Sequence, residues 1–242
     1  MTLDEILKSL FPGGHTVQRS SFNTLSGMGR RDADGDVAVV GIADGVPIGI
    51  DNALLLAGHV LSIIEGDGTQ PILVLIDASI QNMTRRDELL GLNEYFGHLN
   101  KTLKLAALRG HRTVALLYGP AAGGALIAAA LAAQTFVTLP GGEPSVMDLP
   151  SMARVTKLEL GQLQQMAKTT PIFAPGIENY FLTGAVTERW DAEKPLAGQL
   201  AAVLRQPGNV GDRRDEIGFA RKGRLMAASI AQRVVAEAAR AE

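Results

Sequence analysis

Ten residues near the middle of the chain carry its strongest chemical signal: Tyr118-Gly119-Pro120-Ala121-Ala122-Gly123-Gly124-Ala125-Leu126-Ile127. They join an apolar, strand-like run (residues 114–118) to an alanine-rich helix through paired glycines. A Gly-Gly at such a junction bares two backbone N–H groups at a helix N-terminus, where the helix dipole adds partial positive charge. With no side chains in the way, an oxygen gathering negative charge can approach both donors. That is the physics of an oxyanion hole, and it points to chemistry on an acyl group. The same spacing also suits a helix packed so closely against a strand that only glycine fits. On spacing alone the two readings weigh equally.

Other reactive side chains are sparse. Cysteine is absent, which removes disulfides, thiolate metal sites and a cysteine nucleophile together and fits a reducing, cytoplasmic setting. His15, His59, His98 and His111 are scattered without metal-ligand spacing, so no metal site is expected. Asp148 and Glu178 have the chemistry of acids or bases but sit where turns and caps are expected. Arg154 and Lys157, on a turn or helix start, form either an anion-holding pair or a solvated cationic edge. Phe173, in the constrained run Pro171-Ile172-Phe173-Ala174-Pro175-Gly176, either lines a pocket or packs into a partner.

Composition limits the class without naming a reaction. The chain of 242 residues is 46% hydrophobic and 20% charged, as a folded domain with a sizeable core should be. A net charge of −2 offers no basic surface for nucleic acid or an anionic membrane. The N-terminus, Met1-Thr2-Leu3-Asp4-Glu5-Ile6, is acidic and amphipathic, unlike a signal peptide. No apolar run approaches the roughly 20 residues that span a bilayer.

The elements that must position the Gly-Gly turn alternate between strand and helix. Residues 3–10 read as a short amphipathic helix stopped by Pro12-Gly13-Gly14. Residues 26–36 are polar and glycine-rich, a hairpin or a mobile loop. Residues 37–42 and 47–50 read as two strands around the Asp44-Gly45 turn. Asp51 or Asn52 caps a helix to about residue 65, with Leu54, Leu55, Gly58, Leu61 and Ile64 facing inward. Residues 72–76 form a strand covered on both faces. Thr84 with Asp87 and Glu88 resembles a capping box, and Leu89, Leu92, Phe96, Leu99 and Leu103 continue as one helical stripe to the Arg109-Gly110 stop. Strands are expected at 114–118 and 135–139, with a short one between 143 and 150. Helices are expected near 158–168, over 196–204 and over about 215–240.

Four blocks then occur in order: Arg85-Arg86-Asp87-Glu88-Leu89-Leu90-Gly91, the 118–124 turn, Met152-Ala153-Arg154-Val155-Thr156-Lys157, and Pro171-Ile172-Phe173-Ala174-Pro175-Gly176-Ile177-Glu178-Asn179. Together they resemble the gamma subunit of biotin-independent malonate decarboxylase, from Leu3-Asp4-Glu5-Ile6-Leu7 to at least Trp190. The resemblance implies an α/β, crotonase-like (ClpP/crotonase) fold of repeated β-β-α units, with helices packed on a mostly parallel sheet. It treats residues 1–242 as one such domain, with the N-terminal helix (about 3–10) and C-terminal helices (about 196–240) as peripheral or docking elements. In the family, a homologous beta subunit completes the active site. Malonate travels as a thioester on an acyl-carrier delta subunit through a CoA-like phosphopantetheine arm. The beta–gamma pair releases carbon dioxide, and the alpha subunit exchanges the remaining acetyl group for malonate. No cofactor, biotin or metal bound by this chain is implied.

The site carried over with the resemblance places Gly123 and Gly124 as donors, with Ala122, Arg154, Lys157 and Phe173 around the substrate or its carrier arm. Loss of carbon dioxide from a malonyl thioester needs fixed donors and a dry pocket rather than a nucleophile. One preorganised donor is worth about 3–4 kcal/mol. The sequence departs from the expected pattern twice. The 77–82 turn, Asp77-Ala78-Ser79-Ile80-Gln81-Asn82, lacks a glycine, and Ala122 stands where related sequences often have serine. Other classes are a biotin-dependent acyl-CoA carboxyltransferase subunit, a noncatalytic scaffold for the beta subunit, and a hydratase acting alone, which would need a glutamate beside the donors. A chain that forms half of a site exposes a large apolar interface. We therefore expect the recombinant chain alone to form homo-oligomers, and a light-scattering mass equal to one chain would refute this.

Overall fold

Apolar residues alternate with a period of two through the central strands. In the computed structural model, which describes residues 1–31, 35–147, 149–168, 176–208 and 211–240, Val37, Val39, Leu73, Leu75, Val114, Leu116 and Val137 pack on one face of a sheet. Ala38, Val40, Ile42, Ile72, Val74, Ile76, Ala115 and Leu117 pack on the other. Both faces are buried, which is why each strand reads as an unbroken apolar run.

The chain runs α1 (Leu3–Leu10), β1 (Gln18–Arg19), β2 (Thr24–Arg30), β3 (Asp36–Ile42), α2 (Ile50–Glu65), β4 (Ile72–Ile76), α3 (Arg85–Leu89), α4 (Leu92–Leu108), β5 (Thr113–Leu117), β6 (Pro120–Ala122) and α5 (Gly123–Ala125). A π-helical turn (Leu126–Ala130) extends α5. Then come β7 (Thr135–Thr138), β8 (Glu143–Ser145), α6 (Leu149–Thr156), α7 (Leu160–Ala167), α8 (Ile177–Leu182), β9 (Glu188–Arg189), α9 (Leu196–Arg205), α10 (Arg214–Ala220) and α11 (Ala227–Ala238). The main sheet has the order β1-β2-β3-β4-β5-β7-β9. From β3 to β9 it is parallel, with Val40, Val74, Ala115 and Phe136 in register across it, while β1 and β2 add an antiparallel edge. A second, two-stranded parallel sheet pairs β6 with β8.

Helices α2 and α4 and the start of α5 cover one face; α1 and α9 cover the other. The expectation of α1 and α9 as peripheral or docking elements is corrected here. Ile6, Leu10, Phe11, Leu196, Leu200 and Val203 are core residues, and Ser9 Oγ accepts the Leu196 N–H at 3.0 Å. An amphipathic helix with so strong an apolar stripe covers a sheet face as readily as it docks on a partner. Helix α11, by contrast, buries no residue against this chain.

Several local expectations hold and several shift. Asp44 and Gly45 both adopt the left-handed conformation that Asp-Gly predicts. Even so, residues 47–50 do not fold back on β3, whose antiparallel neighbour is β2. Instead Ile48 bridges Gln81, and α2 begins at Ile50. Gly49 caps α2, with the Asn52 side chain accepting the Gly49 N–H at 2.9 Å. The inward face of α2 is Ala53, Leu56, Ala57 and Val60, and Leu54 is exposed. The long stripe is broken at left-handed Gly91, which leaves Leu89 on the exposed end of α3. Helix α6, not foreseen, occupies 149–156.

Arg221, at the end of α10, ties the C-terminal helices to the sheet. Its guanidinium donates to the carbonyls of Phe181, Val186 and Thr187, each at 2.7 Å, and lies 3.7 Å from the centroid of the Phe181 ring. A charged donor that satisfies several loop carbonyls stabilises by about 2 kcal/mol or more. Replacement of Arg221 by Ala should lower unfolding stability by about that amount. Lys, which lacks the planar fork, should recover little of it in a denaturant titration.

Candidate functional site

The C-terminal ends of β3, β4 and β5 come together through backbone hydrogen bonds. Gly45 N–H donates to the Asp77 carbonyl (3.1 Å), and Ala78 N–H donates to the Pro120 carbonyl (2.9 Å). The approach is close enough that a Cβ on Gly119 would collide with the Asp77 carboxylate. Beyond this seam the chain leaves the main sheet through β6, which pairs Ala122 with Ser145 of β8 and aims the start of α5 back at the 77–82 turn. Ligand clefts of open parallel sheets form at this end of the strands.

A cleft of about 1170 Å³ lies there. Ser79, Ile80 and Gln81 line one wall, β6 forms the floor, and the segment from Leu139 to Met147 forms the opposite wall. Arg154 and Val155 of α6 and Ile177 at the start of α8 close one end. Met83, Val146 and Val155 at its rim are more than 60% exposed. Among the described residues, no three His, Asp or Glu side chains gather as metal ligands do.

Ala122 and Arg154 line this cleft. Arg154 donates to Ser151 Oγ at 3.0 Å, and no carboxylate pairs with it among the described residues. Lys157 is not its companion. It follows the last turn of α6 in the left-handed conformation (φ 62°), where its N–H caps the Ala153 carbonyl, and it is absent from the cleft lining. The spacing suits a turn or a helix start; in the structure it spans the last turn of α6 and the left-handed residue after it. Phe173 and Asp148 lie outside the described residues. Glu178 pairs with Arg189 at 2.5 Å.

The two glycines behave differently. Gly123 is left-handed (φ 56°), and a side chain there would also strike the Gln81 amide oxygen. A Cβ on Gly124 would sit 2.6 Å from the Phe96 ring. The close-packing reading of the Gly-Gly pair therefore holds alongside the chemical one. The Gly124 N–H is not an open donor, because it bonds to Gln81 Oε1 at 3.0 Å. The parallel pairing of Ala122 with Ser145 turns the Gly123 N–H toward the Ser145 carbonyl of β8. The expected pair of bare donors is thus not bare: β8 faces one, and the chain's own glutamine occupies the other. Gln81 stood in the sequence as the residue of a turn lacking glycine; that departure was the one signal that could have found it.

Beneath the seam, burial holds the Asp77 carboxyl above the usual carboxylate range. The N–H groups of Asp44 and Gly45 oppose this, and the nearby Asp44 charge reinforces it. The Tyr118 hydroxyl is buried with no partner among the described residues, and burial raises its pKa as well. For Asp77 the sign is direct. An acid whose folded pKa is raised stabilises the fold only while protonated, and that stability is lost as pH rises through the raised value. Asp77→Asn should therefore raise the melting temperature at neutral pH. The gain should shrink as pH falls toward 4, which thermal unfolding across that range would measure.

Comparison with known proteins places this architecture. A family model described as malonate decarboxylase gamma subunit matches residues 43–238. The malonyl-S-ACP:biotin-protein carboxyltransferase MADD of Malonomonas rubra is 31% identical over 150 residues, 58% of this chain and 51% of that protein. The chain thus spans about half the length of that relative. A Pseudomonas malonate decarboxylase hetero-tetramer in complex with coenzyme A superposes with a TM-score of 0.77 at 21% identity, over 96% of this chain and 97% of the other. The transcarboxylase 12S core superposes with a TM-score of 0.68 at 16% identity, over 86% of this chain and 43% of the other. At those identities the solved structures speak for the fold, a crotonase-like α/β architecture of the carboxyltransferase kind.

Proposed function

The chain belongs to the malonate decarboxylase gamma-subunit family, and from that premise we propose that, with a beta subunit, it decarboxylates a malonyl thioester on an acyl-carrier subunit. The products are the acetyl thioester and carbon dioxide. The observation that carries this reading is the half-open cleft at the strand ends, with Gln81 and Arg154 in its lining and apolar side chains exposed at its rim. Exposed apolar rims mark surfaces that a partner covers. The names of the relatives agree: MADD acts on malonyl-S-ACP, and the Pseudomonas enzyme is a hetero-oligomer that binds coenzyme A.

In this reading the bond between Cα and the carboxylate carbon breaks heterolytically. Its electron pair moves onto Cα and the thioester carbonyl oxygen, carbon dioxide leaves, and the enolate takes a proton at Cα. A fixed N–H donor at that oxygen stabilises the transition state more than the ground state. Arg154 serves differently. A cation paired with the carboxylate would stabilise the charge that the reaction must remove, so Arg154 is assigned to a phosphate of the carrier's phosphopantetheine arm. Ala122, lacking a hydroxyl, contributes only its backbone and its small size. Gly123→Val is a poor probe, because the left-handed backbone and Gln81 both oppose a side chain there. Arg154→Ala is cleaner: it should raise KM for the carrier-bound malonyl thioester roughly tenfold while leaving kcat nearly unchanged, as loss of uniform binding does. Steady-state rates of the beta–gamma pair test this, and a fall in kcat alone would place Arg154 at the thioester oxygen that gains charge instead.

MADD's name also describes carboxyl transfer to a biotin protein, which supports transfer to biotin as a second reading. Decarboxylation that persists in the presence of avidin favours the first; turnover that requires a biotinylated acceptor favours the second.

A further inference from the structure

Gln81 reaches from the 77–82 turn to the start of α5. Its backbone is fixed on both sides by hydrogen bonds to Ile48, whose N–H donates to the Ile80 carbonyl (2.9 Å) and whose carbonyl accepts the Asn82 N–H (2.6 Å). Its side chain is fixed at the far end by the Gly124 N–H. An N–H can bond only to an acceptor, so this contact settles which way the amide faces. The oxygen meets the helix, and the NH2 group turns away from it. Gln81 lines the cleft; its Oε1 is the atom nearest Gly123, and Nε2 stands farther off, 3.5 Å from where a Gly123 Cβ would be. The amide protons meet no acceptor among the described residues. A hydrogen bond to an amide oxygen also polarises the amide and strengthens its N–H donors.

Resting on the function proposed above, we infer that the Gln81 side-chain amide is a substrate-contacting donor. It accepts from Gly124 and donates to the substrate oxygen that gains charge as the carbon–carbon bond breaks. The glycine missing from the 77–82 turn is then replaced by a side chain from that same turn. Gly123 and Gly124 are required because any larger residue would displace Gln81 or the Phe96 ring behind it.

The test uses the complex of this chain with its beta subunit. Gln81→Glu keeps the acceptor for Gly124 but removes the donor at neutral pH; Gln81→Met removes both without adding charge. Each should lower kcat for a malonyl thioester by about a hundredfold. The Glu variant should regain rate as pH falls toward protonation of its carboxyl, which a merely structural role would not produce. A second readout needs no turnover. The side-chain amide 15N–1H signals of Gln81, assigned by their loss in the Glu variant, should shift when the complex is saturated with sulfoacetyl-pantetheine, whose sulfonate cannot leave as carbon dioxide. Amide signals that stay fixed while others move, a kcat within about threefold of wild type in both variants, or a Gln81→Ala enzyme faster than wild type would each overturn the inference. Should wild-type complex fail to decarboxylate malonyl thioester while the amide signals still move, the proposed reaction falls and the donor role stands.

Discussion

Everything at the site depends on how closely the turn after β5 approaches the turn after β4. The Ala78 N–H meets the Pro120 carbonyl, and Gly119 rests against Asp77 with no room for a methyl group. That contact diverts the chain out of the main sheet into β6, and the pairing of β6 with β8 sets the direction of α5. Move the seam apart and the cleft loses its floor, its opposite wall and the contact between Gly124 and Gln81 together. The parallel core makes the approach possible. With both faces of β3, β4 and β5 buried, a slip of one residue would exchange the two apolar sets and is strongly opposed. The turns at the strand ends are therefore held in a fixed register.

The same region holds the chain's least comfortable groups. Asp77 keeps a carboxylate where burial disfavours its charge, Tyr118 buries a hydroxyl with no partner among the described residues, and Gly123 takes a left-handed backbone at the first residue of a helix that runs into a π turn. Each departs from what the local sequence would choose in isolation, and such departures gather where function is paid for in stability. The two-sided core offsets them. Helices α1 and α9 belong to that core, so elements whose Ser9 and Leu196 lie 187 residues apart in the chain help to hold the strands whose ends carry the site.

Much was legible in advance, because it follows from local rules. The residues of β4 and β5 could only be strands covered on both faces, Thr84 could only begin a helix, and Asp44-Gly45 could only turn the chain. The Gly-Gly at 123–124 was legible as a tight junction with donor potential, and four ordered motifs were legible as one family. Less was legible where two faces compete. In α2 the leucines outnumber the alanines, yet Ala53 and Ala57 are buried while Leu54 is exposed, a choice set by packing rather than by the residues' own hydrophobicity.

What the sequence determined by itself was therefore the alphabet of elements, the family, and the presence of a glycine-lined junction between strand and helix, all of which rest on periods and contacts a few residues long. The tertiary structure alone decided that Gly124's donor is spent within the chain, that Gln81 stands at its end, and that Lys157 caps a helix outside the cleft while Arg154 lines it. The physical reason is range. A hydrogen bond spanning 43 residues, from Gln81 to Gly124, leaves no periodicity behind, and only the packed sheet brings its two ends within reach.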